Sequence, residues 1–224
     1  MDEKKYVINF EGVDLAFDQP VLSDINLTLE KGEFVYLIGK TGSGKSSLLK
    51  SVYADVPIEK GTAVVCGFDL RKIKRRQIPM LRRKLGIIFQ DFQLLKDRSV
   101  YDNLAFVLRA TGWRDRKAMK TRILQALDDV GLLMKAEEQA CDLSEGEMQR
   151  VAIARAVVNS PELILADEPT GNLDPITSEE IVMLLKHINE KHGTSVLMAT
   201  HDYIVIDKCR AKVIACEDGK IIVS

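Results

Sequence analysis

The chain has 224 residues, 46% of them apolar, and a formal charge of −1, which allows one large domain or two small ones around a sizeable core and argues against a dedicated nucleic-acid binder. Its four cysteines, Cys66, Cys141, Cys209 and Cys216, form no Cys-x-x-Cys pair, so no zinc site is implied and a reduced, cytosolic chain is the simple reading. The opening Met1 to Lys5 carries no apolar signal core and no segment approaches about 18 consecutive apolar residues, so any membrane role is expected to come through a partner.

Strands are expected at Val7 to Phe10, at Val21 to Leu29, where apolar positions alternate, and at Phe34 to Ile38, with Gly32 punctuating the last turn. Gly39-Lys40-Thr41-Gly42-Ser43-Gly44-Lys45-Ser46 follows at once and fits Gly-x-x-x-x-Gly-Lys-Ser, with a helix-like run from Ser46 to Tyr53 behind it. Strand, loop, helix is the context that this phosphate-binding motif requires. Gly42 and Gly44 are expected at positive φ, which brings bare amides close to an anion. The helix start adds its positive dipole end, the Lys45 ammonium reaches the β- and γ-phosphates, and the Ser46 hydroxyl can ligate Mg²⁺.

Beyond that helix come a short strand, Thr62 to Cys66, a basic stretch, and the apolar strand Leu85 to Phe89 with Gln90 at its end. From Val100 to Asn159 the pattern turns helical: Ile123, Leu124, Leu127 and Val130 recur at helix spacing, and Gly131 is placed to stop that helix. Strands return at Leu163 to Ala166 and Ser195 to Ala199, separated by a helix whose Ile181, Leu184, Leu185 and Ile188 line one face. This order predicts a single α/β domain over 1–224: a core from 1–90 and 160–224 with small antiparallel strands at the amino end, and a helical subdomain at 91–159.

Gly39, Asp167 and His201 each fall at or just beyond the carboxyl end of an apolar strand, where open α/β sheets bind ligands. An unpaired buried carboxylate is costly, so Asp167 calls for a strong partner, and Mg²⁺ is one. Glu168 beside it can accept a proton from, or orient, the water that attacks a γ-phosphate, a role worth roughly 10²–10⁴-fold. The alternative is an Asp-Glu pair in a strand-end turn before Pro169. His201 reads equally as a capping or packing residue, Asp174 as the N-cap of the helix that Pro175 opens, and Gln90 as a strand-terminal amide or a group reaching Mg²⁺ or the attacking water. Ser144 with Glu147 three residues later makes a capping box, and Glu145 in the first turn favours the helix dipole. The basic run at 71–84 is either a solvated face or a surface near anionic lipid, and no aromatic interleaves it as in a nucleic-acid site.

The Lys45-bearing loop, Gln90, Leu143-Ser144-Glu145-Gly146-Glu147-Met148-Gln149-Arg150, Leu165 to Pro169, Gly171 to Asp174 and His201 appear in the order of the ATP-binding-cassette ATPases. The resemblance covers essentially the whole chain. It implies an Mg-dependent ATPase with a RecA-like parallel-sheet core, an N-terminal antiparallel subdomain and an inserted helical subdomain. It implies that Phe17 stacks on adenine, that Lys40 to Ser47 wrap the phosphates, that Ser46, Gln90 and Asp167 serve Mg²⁺, that Glu168 polarises water and that His201 senses the γ-phosphate. It implies further that ATP joins two chains head to tail, with Ser144, Glu145, Gly146 and Glu147 on the other subunit's nucleotide and Asp174 linking the two sites.

Ile78 to Asp91, Arg98 to Asn103, Arg155 to Asn159 and Met198 to Asp202 are similar to the FtsE subfamily of bacterial cell-division ATPases. That similarity implies an FtsX-like integral membrane partner, a place on the inner face of the membrane, and control of cell-wall hydrolysis. Subunits of lipoprotein or macrolide exporters share much of the later motif set. DNA-repair ATPases of related fold need a long coiled coil, for which the interval from Gln90 to Leu143 is too short. One departure stands out: the family signature carries glycine where this chain has Glu145, so closure on ATP is expected to be weaker here.

Overall fold

Alternate residues of one central strand face two different cores in the computed structural model, which describes residues 5–15, 22–217 and 219–223. The elements are β1 (Tyr6–Leu15), β2 (Ile25–Glu30), β3 (Phe34–Ile38), α1 (Lys45–Val52), β4 (Ile58–Val65), β5 (Phe68–Asp69), α2 (Ile78–Arg82), β6 (Leu85–Ile88) and α3 (Val100–Thr111). They continue with α4 (Arg116–Asp129), α5 (Glu145–Val157), β7 (Leu163–Asp167), α6 (Pro175–His192), β8 (Ser195–Thr200), α7 (Tyr203–Lys208), β9 (Lys212–Glu217) and β10 (Lys220–Val223). One sheet is antiparallel in the order β2-β1-β4-β5; the other has the order β10-β9-β3-β8-β7-β6 and is parallel from β9 to β6.

Strand β3 is flanked by β8 and β9, so both its faces need apolar side chains and its sequence is an unbroken apolar run. Phe34 and Tyr36 point to the core formed with α3, α4, α5 and α6, whereas Val35 and Leu37 point to the core shared with α1 and the antiparallel sheet. In β2, Ile25, Leu27 and Leu29 are buried while the residues between them are exposed, the pattern of a strand with one face in water.

Several boundaries differ from those expected. The second strand starts at Ile25 rather than Val21, because Asp24 sits at φ 50 in a turn; Val21 itself lies outside the described residues. The fourth strand runs from Ile58 to Val65 and stops before Cys66, whose φ of 47 begins the turn into β5. The stretch from Val100 to Asn159 holds three α-helices, the first two joined by a short turn and the last two by a longer segment with 3-10 turns at Leu133–Lys135 and Ala140–Asp142. Their starts follow the side-chain chemistry: Ser99, Asp115, Ser144, Asp174 and Asp202 cap α3, α4, α5, α6 and α7, each accepting from a backbone amide of the first turn.

Within the basic run, Arg71 donates to the Gly61 carbonyl at 3.2 Å, Lys72 pairs with Asp69 at 2.9 Å, Arg82 donates to the Tyr53 carbonyl at 3.0 Å and Lys84 pairs with Glu162 at 2.8 Å. Those four charges tie α2 and its flanks to neighbouring elements, while Lys74, Arg75 and Arg76 are exposed. The four cysteines are free, and no helix among the described residues is long and apolar enough to cross a membrane.

Helix α5 lies directly against β6, and Gly86 sets the distance. A Cβ at Gly86 would stand 2.5 Å from the Ala156 carbonyl oxygen, which is backbone and cannot swing away. Gly86→Ala is therefore expected to cost ~1–3 kcal/mol of stability by forcing strand and helix apart. A urea midpoint lowered at unchanged slope would register it.

Candidate active site

The strand register places four loops side by side. Ile38 pairs with Thr200, Asp167 with Ala199, and Ile88 with Ala166, so Gly39, Gln90, Glu168 and His201 all emerge at one edge of the parallel sheet. Thr41, Gly42, Gly44, Lys45, Ser46, Ser47, Gln90, Glu168 and His201 line a single open cleft there, of ≈ 450 Å³.

Gly42 at φ 83 and Gly44 at φ 105 take left-handed conformations where the loop lines the cleft, and Gly44 is the N-cap of α1; the Ser43 amide between them donates to the Lys40 carbonyl at 3.1 Å. The loop rests on β9: the Cys216 thiol donates to the Ser43 carbonyl at 2.9 Å, and a Cβ at Gly39 would lie 2.4 Å from the Cys216 carbonyl oxygen. Lys45 is 7% exposed. Its ammonium donates to the carbonyls of Gly39 at 2.8 Å and Lys40 at 3.3 Å, and lies 3.4 Å from Glu168 Oε1. The Ser43 hydroxyl is buried near Gly39, with no hydrogen-bond partner among the described residues, and Ser43 is not among the residues lining the cleft.

Glu168 follows β7 at φ 47, a left-handed conformation for a residue with a Cβ. Its other carboxylate oxygen lies 2.9 Å from His201 Nδ1 and accepts from the His201 amide at 3.3 Å. The carboxylate is thus held between a lysine and a histidine at the cleft. Asp167 accepts from the Ser46 hydroxyl at 3.1 Å. Burial pushes the Asp167 carboxyl above the usual carboxylate range, and the negative charge of Glu168 adds to this against the pull of Ser46 and Lys45. The Ser46 hydroxyl, the Asp167 carboxylate and the Gln90 amide oxygen form an all-oxygen set suited to a hard cation such as Mg²⁺.

Two neighbours that carry no chemistry of their own in the motif pattern fix Gln90. Asn172 Nδ2 donates to the Gln90 carbonyl at 3.1 Å, and Gly171 gives the Gln90 side chain its room, since a Cβ there would lie 2.9 Å from Gln90 Nε2. The signal for both in the sequence is the Gly171 to Asp174 segment, in which Asp174 alone reads as a functional residue. The buried Gln149 likewise donates to the Pro169 carbonyl at 2.6 Å, joining α5 to the turn after Glu168.

The capping box at α5 is present in full: Ser144 Oγ accepts from the Glu147 amide at 3.4 Å and the Ser144 amide donates to Glu147 Oε2 at 3.0 Å. Lys135 pairs with Glu147 Oε1 at 2.7 Å. Glu145 is exposed, and Gly146 packs against Thr177 beside Asp174, whose carboxylate accepts from the amides of Ile176 and Thr177. Ser144, Glu145, Gly146, Glu147 and Asp174 are not among the residues lining the cleft in the single chain. Phe17 lies outside the described residues.

The profile described as ABC transporter matches residues 22–171. The curated cell division ATP-binding protein FtsE of Streptococcus pneumoniae is 45% identical over 90% of this chain and 86% of its own length. FtsE of Mycobacterium tuberculosis is 47% identical over 91% of this chain and 88% of its own. Among solved structures, the dimeric bacterial ABC transporter cassette MJ0796 superposes with a TM-score of 0.84 at 32% identity, covering 96% of each chain. A post-hydrolysis structure of the same cassette, bound to ADP and Pi, gives a TM-score of 0.82 at 31% identity over 96% of each chain. The chain belongs to the ABC transporter family and is an ATPase of that family, grouping within it with the cell division ATP-binding proteins named FtsE.

The Lys135 ammonium first, and the Ser144 amide and hydroxyl next, hold the Glu147 carboxyl down to about 2. A carboxylate depressed in the folded state contributes stability above its ordinary range and loses it as the pH falls toward that lowered value. Glu147→Gln is therefore expected to be less stable than the parent at neutral pH, with the difference shrinking steadily between pH ~5 and pH ~2. Paired urea titrations across that window measure it.

Proposed function

We propose that this ATPase is the nucleotide-driven half of an FtsEX-like membrane complex, in which closure of two copies on ATP is relayed through an FtsX-like partner to control cell-wall hydrolysis during division. The observation that carries the chemistry is the position of Glu168, held between Lys45 and His201 at the cleft into which the phosphate loop faces. The cell-division role is supported by the names of its FtsE relatives, and the pairing of two chains by the likeness to a dimeric cassette.

In this reading the loop amides and Lys45 hold the β- and γ-phosphates. Ser46, Gln90 and Asp167 would hold Mg²⁺, which when bound neutralises charge on the phosphate oxygens. Glu168 accepts a proton from the water that attacks the γ-phosphorus while the bond to the β–γ bridging oxygen breaks, yielding ADP and phosphate. His201 orients the Glu168 carboxylate and contacts the γ-phosphate. Ser144 to Glu147 and Asp174, standing clear of their own chain's cleft, complete the site of the second copy. Through its membrane partner the protein sits at the cytoplasmic face of the membrane.

Glu168→Gln is expected to bind Mg-ATP with near-parental affinity while hydrolysis falls about 10²-fold or more. Fluorescent-nucleotide titration and phosphate release separate the two effects, and full turnover in that variant would remove the assignment. Lys45→Ala should lose binding itself. Because Glu145 places a carboxylate beside the expected trans phosphate, Glu145→Gly is expected to tighten ATP-dependent dimerisation of the Glu168→Gln protein, read by sedimentation. Capture of the native membrane partner decides the cellular role: an FtsX-like protein supports it, and an exporter permease overturns it.

A further inference from the structure

Two consecutive non-glycine residues just past Gln90, Phe92 at φ 58 and Gln93 at φ 48, stand in the left-handed region. Such backbone persists only where its surroundings over-determine it, and it gathers at switch segments. From Phe89 to Gln93 the loop's own backbone hydrogen bonds are the Phe92 amide to the Phe89 carbonyl at 3.4 Å and the Gln93 amide to the Asp91 carbonyl at 2.6 Å; farther on, the buried Asn103 side chain accepts from the Leu95 amide at 2.9 Å and donates to its carbonyl at 3.1 Å. The Phe92 and Gln93 carbonyls are taken by a side chain from far along the sequence. Arg155, in the last turn of α5, donates through Nη2 to the Phe92 carbonyl at 2.7 Å and through Nη1 to the Gln93 carbonyl. The guanidinium is partly buried, and desolvating it is costly unless its donors are matched, so these two carbonyls account for its position. On the other side Asn172 holds the Gln90 carbonyl. Contacts thus run from α5, whose first turn carries the Ser144 to Glu147 signature, through Arg155 to the loop and on to Gln90 at the cleft.

We infer that Arg155 is a positioning residue of the ATPase: it clamps the loop after Gln90 in its strained form and so couples the conformation of α5 to the place of Gln90 in the nucleotide site. The inference rests on the proposed role of Gln90 there. Lysine does not substitute, because a point ammonium lacks the planar fork that grips two adjacent carbonyls.

The test uses the full chain with Arg155→Ala, Arg155→Lys, Gln90→Ala and the double variant Arg155→Ala/Gln90→Ala. Arg155→Ala is expected to lower kcat about tenfold or more with KM for ATP within about threefold, and Arg155→Lys to recover only a minor part. Amide exchange at 91–95 should rise about tenfold while the middle of α5 stays protected. In the Gln90→Ala background, Arg155→Ala should have almost no further effect on kcat. Additive losses in that cycle, or unchanged exchange at 91–95 in the Arg155→Lys protein, overturn the inference. Should Gln90→Ala alone leave turnover intact, the placement of Gln90 in the site falls, and exchange at 91–95 then decides by itself whether Arg155 holds the loop.

Discussion

A lysine ammonium almost out of water is tolerable only when its donors are matched, and Lys45 finds its partners in the carbonyls of Gly39 and Lys40 and the carboxylate of Glu168. Those partners come from the ends of two strands, β3 and β7, which are not adjacent: β8 lies between them. The parallel register of all three levels their carboxyl ends, and that is what lets one ammonium reach both the loop and the acid. The unbroken apolar runs of β3, β7 and β8 serve the site indirectly, by keeping those strands buried on both faces and in register.

Around that point the backbone divides into relaxed and strained parts. Helices α5, α6 and α7 start at well-formed side-chain caps, Ser144, Asp174 and Asp202, whereas α1 starts at Gly44 in a left-handed conformation. Of the seven described non-glycine residues at positive φ, Asp24, Ala54, Cys66 and Ser160 lie elsewhere, while Glu168, Phe92 and Gln93 stand next to the cleft or one step behind it. Each of these three is held by long-range partners: Glu168 by Lys45 and His201, and the loop after Gln90 by Arg155 and Asn172. A rigid sheet with locally strained, externally clamped loops suits the proposed cycle of closure and release.

The signature segment shows a different compromise. Ser144, Glu147 and Lys135 lock the first turn of α5 by hydrogen bonds and an ion pair, while Glu145 is exposed to water. The chain therefore stabilises the helix that presents its signature and adds negative charge at the surface that meets a second copy's nucleotide in the proposed dimer.

Much of this was legible from residue order. Gly39 to Ser46 after an apolar run, Asp167-Glu168 at the end of another, and Ser144, Glu147 and Asp174 as caps all act over a few residues, and local chemistry is what a linear pattern records. The pairing of Glu168 with both Lys45 and His201, the grip of Asn172 on Gln90 and of Arg155 on Phe92 and Gln93, and the closeness of Gly86 to α5 depend on strands brought together from distant parts of the chain. So do the strand limits at Ile25 and Val65, which turn geometry at Asp24 and Cys66 decided over hydrophobic pattern. The sequence by itself determined which groups would stand in the glycine loop, at the strand ends and at the helix caps; only the packed sheet decided which of them hold one another, because register and helix contact are properties of non-local burial that no single segment carries.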